Sequence, residues 1–303
     1  MLTVYDRGSR MKIVIIGSGG RLGSALVHAY QKSHQVRGFS HAEIDVADFD
    51  EVEQLLTSLE FDLMINCSAM TNVDLCEEKR VEAFSVNADA PELLAQIAAD
   101  KGARFIHFST DYVFDGSKRT PYTEEDETTP INCYGESKLE GEENVLNVDE
   151  RHLVVRVSWV FGPERPSFMD NIIQRARERE QVDAVVDKFS TPTYTADIAA
   201  MLPRFFPAEV GGIMHFANSG ECSWQQYAQH ALDCCWDVGL PLKTRTVGAI
   251  TLAEMPDFVA RRPVYTALAT GRFTEVTWQS PRSWQDAVSE YVKLRYSPSS
   301  IIR

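Results

Sequence analysis

Apolar positions recur along this chain in two rhythms that take turns. KIVIIG (12–17) is a short, nearly continuous apolar run rich in β-branched residues and closed by glycine; such a run predicts a buried strand of the parallel type. Across 21–33 the rhythm changes, with Leu22, Ala25, Leu26 and Ala29 on one helical face. The alternation repeats with QVRGFS (35–40) as strand, DFDEVEQLLTSL (48–59) as helix and DLMINCSA (62–69) as strand. Residues 79–100 read as helix, with Pro91 marking a kink or a junction of two segments. RFIHFST (104–110) and HLVVRVSWVFG (152–162) are the next strands, separated by a helix that opens near residue 134.

Strands alternating with amphipathic helices predict an α/β fold: a Rossmann-type, doubly wound parallel sheet. After about residue 163 the alternation fades into helices and proline-rich connections. The chain therefore divides into an extension (1–10), a dinucleotide-binding domain (11–165, with 185–215 returning to it) and a smaller α/β substrate-binding lobe (166–184 and 216–303).

Composition narrows the function classes. A formal net charge of −14 argues against a general nucleic-acid or anionic-membrane binder, while leaving room for a locally positive anion site. No apolar run approaches the roughly 20 residues that span a bilayer. MLTVYDRGSR lacks the apolar stretch of a secretory signal. The six cysteines show no C-x-x-C pairing, so reduced thiols and a cytoplasmic location are expected. Cys133 reads as a buried small residue, because no histidine partner is evident. The seven histidines form no ligand-spaced cluster, and no metal site is assigned.

GSGGRLG (17–23) joins the first strand to the first helix. Gly17 permits a tight turn, Gly19 and Gly20 admit a pyrophosphate close to backbone, and Gly23 packs helix on strand. The N–H groups of Arg21 and Leu22 open a helix whose terminus attracts phosphate. NAD-selective sites place a carboxylate at the end of the second strand. Here Ser40 and His41 stand there, with no carboxylate until Glu43. That absence tolerates a 2′-phosphate, so NADPH is the expected cofactor, with NADH also admitted; ordinary surface polarity is the alternative reading of Ser40 and His41. Asp45 and Val46 are placed to meet the adenine. Cys67, Ser68 and Ala69 end the third strand with side chains small enough for a cofactor to pass.

The chemistry comes from YGESK (134–138). Positions four apart share a helix face, so Tyr134 and Lys138 point into one space, and a nearby cation pulls a phenol down from its ordinary pKa near 10. Thr110 ends the fourth strand, at the sheet edge where ligands of such folds bind. A strand-end hydroxyl, then Tyr-x-x-x-Lys 24 residues on, behind a first-strand glycine loop, is the pattern of the short-chain dehydrogenase/reductase superfamily.

The longer motifs narrow that likeness. STDYVFDG, YTEED (122–126), YGESKLEGE, VRVSWVFG, FSTPTYTADIA (189–199) and RRPVYTALATGRF with PRSWQDAVSEYV (281–292) resemble the dTDP-4-dehydrorhamnose reductase family from about Met11 to Val292. The resemblance implies reduction of a 4-keto nucleotide sugar, dTDP-4-dehydro-L-rhamnose to dTDP-L-rhamnose, for deoxysugar and polysaccharide biosynthesis. It implies Tyr134 as proton donor, Lys138 as the cation that acidifies it and bonds the nicotinamide ribose, and Thr110 as the group that positions the carbonyl. Thr71, Val73, Asp111, Tyr112 and Trp159 match positions that meet the sugar, although Trp159 also reads as a core aromatic. Tyr112 stands where related dehydratases carry a glutamate base, which disfavours dehydration. Met70 departs from the tyrosine usual in these reductases. The resemblance allows a homodimer. It also leaves two other readings: a non-catalytic NAD(P)-binding regulatory subunit similar to the methionine adenosyltransferase β subunit, and a reductase of another keto sugar.

Overall fold

A computed structural model describes residues 10–207, 210–255 and 258–297; residues 1–9 of the expected N-terminal extension lie outside the described residues. The central sheet has six strands. Its first five in chain order are β1 (Lys12–Ile16), β2 (Gln35–Phe39), β3 (Leu63–Asn66), β4 (Arg104–Thr110) and β5 (Leu153–Val157). Gly212–His215 is added beyond β5, and the other edge runs β4, β3, β1, β2. The pairs β1/β2, β1/β3 and β3/β4 are parallel. This is the Rossmann-type α/β fold that the alternation predicts.

Burial follows position in the sheet. Every residue of β3 and of β4 is buried, as strands covered on both faces must be. The edge strand β2 alternates instead, and the Arg37 guanidinium lies 4.8 Å from the centre of the Phe39 ring. Five helices connect the strands up to β4: α1 (Arg21–Tyr30), α2 (Phe49–Thr57), α3 (Val73–Glu78), α4 (Arg80–Phe84) and α5 (Ala90–Asp100). The core beneath them gathers Val14, Ile16, Val52, Leu56, Leu94, Phe105 and Val154. Each such side chain contributes about 1.5–3 kcal/mol when fully buried.

The stretch predicted as one interrupted helix is α4 and α5 joined by a π-helical turn at Ser85–Asp89. Pro91 stands at this junction, in the first turn of α5. The strand predicted at 62–69 ends at Asn66, leaving Cys67, Ser68 and Ala69 as loop. That predicted at 152–162 ends at Val157 and resumes as a two-residue strand at Val160–Phe161. Between them Trp159 turns through φ 40°, which no strand accommodates.

The chain forms two compact units. One takes Met1–Thr110, Asn132–Arg156 and Ala199–Met214; the other takes Asp111–Ile131, Val157–Ile198 and His215–Arg303. Contact thus groups 111–131 and 157–165 with the second unit, whereas the sequence division keeps them in the first; of the stretch 185–215 expected to return to the first unit, only 199–214 does so. The second unit has its own core of Phe161, Met169, Ile172, Tyr194, Leu232 and Val288. Asp170 anchors it: its carboxylate caps the helix Phe168–Glu178 through Ser167 and accepts hydroxyls from Tyr291 and Tyr296, both at 2.6 Å.

Candidate active site

The site starts at the glycine turn. Gly17 has φ +79°, and a Cβ built on it would stand 2.7 Å from the Ser68 backbone nitrogen. A Cβ on Gly23 would meet Gly17 O at 2.3 Å. Both positions are closed to any side chain. The N–H groups of Gly17 and Ser18 both donate to Phe39 O at 2.9 Å, tying the turn to the end of β2. Sheet order changes direction between β1 and β3, which is where ligands of such sheets lie, and the turn meets the Cys67–Ser68 loop at that point. Gly20 precedes α1 without a side-chain cap, and the first turn of α1 carries no acid. Its N-terminus therefore keeps the polarity that suits a phosphate. Gly38, unread in the sequence, supports this arrangement: a Cβ there would lie 2.7 Å from Ser18 Cβ.

At the end of β2 the structure corrects one expectation. Glu43 reaches back, and its carboxylate accepts the Ser40 N–H at 2.8 Å and the Ser40 hydroxyl at 2.7 Å. These bonds hold Glu43 below its ordinary carboxylate range. A negative charge therefore stands at the strand end where the linear sequence shows none. His41 is exposed, with Nδ1 4.0 Å from Asp45 Oδ1. Asp45 accepts the Ala47 N–H at 3.1 Å, and Val46 is buried.

The helix predicted near residue 134 is α6 (Cys133–Val148), and Asn132 starts it by accepting the Gly135 N–H at 2.8 Å. That cap puts Tyr134 in the first turn, half-buried, and Lys138 one turn on, fully buried. Lys138 Nζ donates to Phe108 O at 2.8 Å and lies 3.1 Å from His107 Nε2. Burial lowers Lys138 to about 8, with Glu142 and Cys67 opposing the fall. His107 is pushed well below its ordinary value by burial and by Lys138. Thr110 ends the same strand and is buried. Glu142 is held in turn by Arg156, whose guanidinium donates to its carboxylate at 2.6–3.1 Å.

Two further residues escaped the sequence reading. Asn87, inside the π-helical turn, accepts the Met70 N–H at 2.9 Å and donates to Met70 O at 3.1 Å. It also donates to Ser137 Oγ at 3.0 Å. This fixes the 67–73 loop against α6. Thr71 on that loop is exposed and Val73 half-buried. Contact between α6 and the π-helical turn requires Gly141, because a Cβ there would fall 2.1 Å from Asn87 O. The legible signals were the break in helical rhythm near Pro91 and a glycine inside a helix.

The remaining expected sugar contacts belong to the second unit. Asp111 is buried, and its Oδ2 accepts Thr266 Oγ1 at 2.5 Å and Ser190 Oγ at 3.0 Å. Tyr112 is buried with Lys188 Nζ 4.8 Å over its ring. Lys188 has no exposed surface, donates to Pro263 O at 2.5 Å and lies 5.9 Å from the Trp224 ring. Burial lowers it to about 8, against the pull of Asp111. Trp159 is half-buried, stacks 6.3 Å from Tyr227 and leaves Nε1–H without a partner among the described residues. Trp159 also packs against the core of the second unit, so it stands as a core aromatic as well as a candidate site residue. The expected site residues are therefore split: the glycine turn, Cys67–Ala69, Thr71, Val73, Thr110, Tyr134 and Lys138 in one unit, and Asp111, Tyr112 and Trp159 in the other.

A glycine turn at the switch point of a parallel sheet, with a capped Tyr-x-x-x-Lys helix in the same unit, defines a Rossmann-type oxidoreductase of the short-chain dehydrogenase/reductase class. Residues 11–296 match the family model described as RmlD substrate binding domain. Over 300 residues the chain is 31% identical to the dTDP-4-dehydrorhamnose reductase of Escherichia coli K12, covering 96% of this chain and 100% of the relative. It is also 31% identical over 287 residues to the spore coat polysaccharide biosynthesis protein SpsK of Bacillus subtilis 168, covering 94% and 98%. The crystal structure of dTDP-4-dehydrorhamnose reductase from Bacillus anthracis in complex with NADP superposes with a TM-score of 0.88 at 27% identity, over 93% of this chain and 99% of that one. The chain belongs to the dTDP-4-dehydrorhamnose reductase family.

Proposed function

We propose that this protein reduces the 4-keto group of a nucleotide sugar, converting dTDP-4-dehydro-L-rhamnose to dTDP-L-rhamnose, with NADPH as cofactor and NADH also accepted. The observation that carries the reading is Lys138. It is a fully buried lysine, bonded to Phe108 O and one turn from Tyr134, in the unit that holds the glycine turn. Gly17, Gly19, Gly20 and Gly23, with the N–H groups of Arg21 and Leu22, would hold the cofactor's pyrophosphate; a cradle that a single Cβ would fill fits that role. When bound, the nicotinamide supplies the hydride.

The residues of the chain supply the proton and the positioning. The Lys138 ammonium favours the phenolate form of Tyr134, so that Tyr134 gives its proton to the oxygen of the keto group as negative charge grows there. Thr110 hydrogen-bonds that oxygen and holds it to the phenol. Asp111, Tyr112, Trp159, Thr71 and Val73 recognise the sugar, with the Trp159 indole N–H as an unused donor. Six free thiols suit a cytoplasmic enzyme. The family resemblance extends the proposal to a homodimer, which a monomeric boundary in sedimentation would reject.

The test is loss of NADPH absorbance across a panel of 4-keto nucleotide sugars, with NADH in parallel. Tyr134→Phe should lower kcat by about 10²–10⁴-fold, the usual contribution of a positioned acid, while NADPH still binds. Turnover unchanged in that variant, or none with any keto sugar, would remove the reading.

A further inference from the structure

Lys138 sits at one end of a hydrogen-bond chain in which each donor is dictated by the previous one. Asn66 Oδ1 accepts the Ser68 N–H at 2.9 Å and the Ser68 hydroxyl at 2.6 Å, which fixes the orientation of the amide. Its Nδ2 therefore faces His107 Nδ1, at 3.1 Å. An amide nitrogen only donates, so Nδ1 must accept. A neutral imidazole carries one N–H, and that proton is left on Nε2, 3.1 Å from Lys138 Nζ. Asn66 and His107 have no exposed surface and Lys138 is 1% exposed, so no solvent relieves a mismatch. An ammonium would set N–H against N–H. An uncharged amine accepts the histidine proton with its lone pair and still donates to Phe108 O.

We infer that Asn66 and His107 are positioning residues that set the charge of Lys138: the Ser68–Asn66–His107 chain locks the imidazole in the Nε2–H tautomer and so favours the uncharged amine. The inference rests on the reductase reading for its consequence. Loss of the Lys138 charge removes the cation that acidifies Tyr134, so the chain limits activity on the alkaline side. The groups facing Lys138 are few. Glu142 and Tyr134 share its helix, His107 comes from β4 and Cys67 follows β3. Arg156 from β5 occupies the Glu142 carboxylate. Glu142 and Cys67 favour the ammonium, while burial and the histidine lock oppose it. These opposing influences leave both charge states within reach of neutral pH.

Asn66→Asp reverses the lock without emptying the site. A carboxylate accepts from Nδ1–H, which moves the ring proton and turns Nε2 into an acceptor for the ammonium. The expected result is a Lys138 titration raised by about one pH unit or more, read by NMR of ¹³C-labelled lysine in the protein without substrate. The alkaline limb of kcat/KM should move with it. His107→Gln, whose amide can turn its oxygen to the ammonium, moves the titration the same way and serves if Asn66→Asp does not fold. In the unaltered protein, ¹⁵N-labelled His107 should show the Nε2–H tautomer at pH 9. An Nδ1–H tautomer, or an unmoved Lys138 titration in either folded variant, overturns the inference. Because both spectra are read without turnover, failure to find a keto-sugar substrate would remove the reductase reading and leave this result standing.

Discussion

The two units use different materials for recognition. In the first, the shape of the site is set by backbone: a turn at φ +79°, a strand end that accepts two N–H groups, and a helix start held by an asparagine cap. In the second, the expected sugar contacts lie among side chains drawn from distant parts of the chain. Lys188 approaches Tyr112, Trp224 and Pro263, and Asp111 is held by Ser190 and Thr266. The difference teaches where a sequence can be read. Backbone-shaped sites demand particular residues at fixed short spacing, whereas side-chain clusters demand only that the fold bring them together.

The comparison can be broken hardest at a place where the first unit also relies on a buried side-chain charge. Arg156 and Glu142 pair with almost no exposure. Glu142→Gln would leave the guanidinium buried without its counter-charge, a change that typically costs about 3–5 kcal/mol. The urea midpoint should fall accordingly, and Lys138 should lose one of the two groups that favour its ammonium. A midpoint within experimental error of the parent would show that the pair is solvated in solution.

The next test is steric. Gly17→Ala places a Cβ 2.7 Å from a backbone nitrogen at a left-handed φ, a conformation that costs an L-residue roughly 1–2 kcal/mol before the overlap is counted. NADPH affinity should drop at least about tenfold, the equivalent of that strain, if the turn must open to relieve it. In the second unit, Lys188→Met keeps an unbranched side chain, one atom shorter, and removes a desolvated charge. Stability should fall by about 1–3 kcal/mol, because the buried Pro263 O loses its donor and Asp111 a nearby cation, while KM for the nucleotide sugar rises several-fold and NADPH affinity is unchanged. Equal losses of both affinities would erase the distinction between the units.

How far the sequence could be read follows from the same contrast. β1 and β3 were legible because central parallel strands are nearly continuous apolar runs, and Tyr134, Lys138 and Gly17 because their geometry needs fixed spacing. Asn87 was not, since its role depends on a π-helical turn that only the contact with Gly141 and Ser137 explains. His107 was hidden inside a strand where it reads as one more interior residue. Lys188 carried no signal, because its burial depends on Tyr112, Trp224 and Pro263 from separate parts of the chain. The grouping of 111–131 with the second unit had no local signal at all, because it rests on bonds such as Asp111 to Thr266, 155 residues away.

Glu43 is the finest test, because there the linear reading failed by only three residues. The strand end lacks an acid in sequence yet gains one in space, through the two bonds from Ser40 to the Glu43 carboxylate. A carboxylate at that point repels a 2′-phosphate and accepts a 2′-hydroxyl, so it works against NADPH and for NADH. Being exposed and screened by salt, it shifts the balance without deciding it. Glu43→Gln keeps an oxygen for the Ser40 N–H and removes the charge. The ratio of NADPH to NADH affinity should rise about three- to fivefold at low ionic strength and shrink as salt is added. A ratio that does not move, or one that moves equally at high salt, would mean that Glu43 only shapes the turn and that cofactor choice is made elsewhere in the first unit.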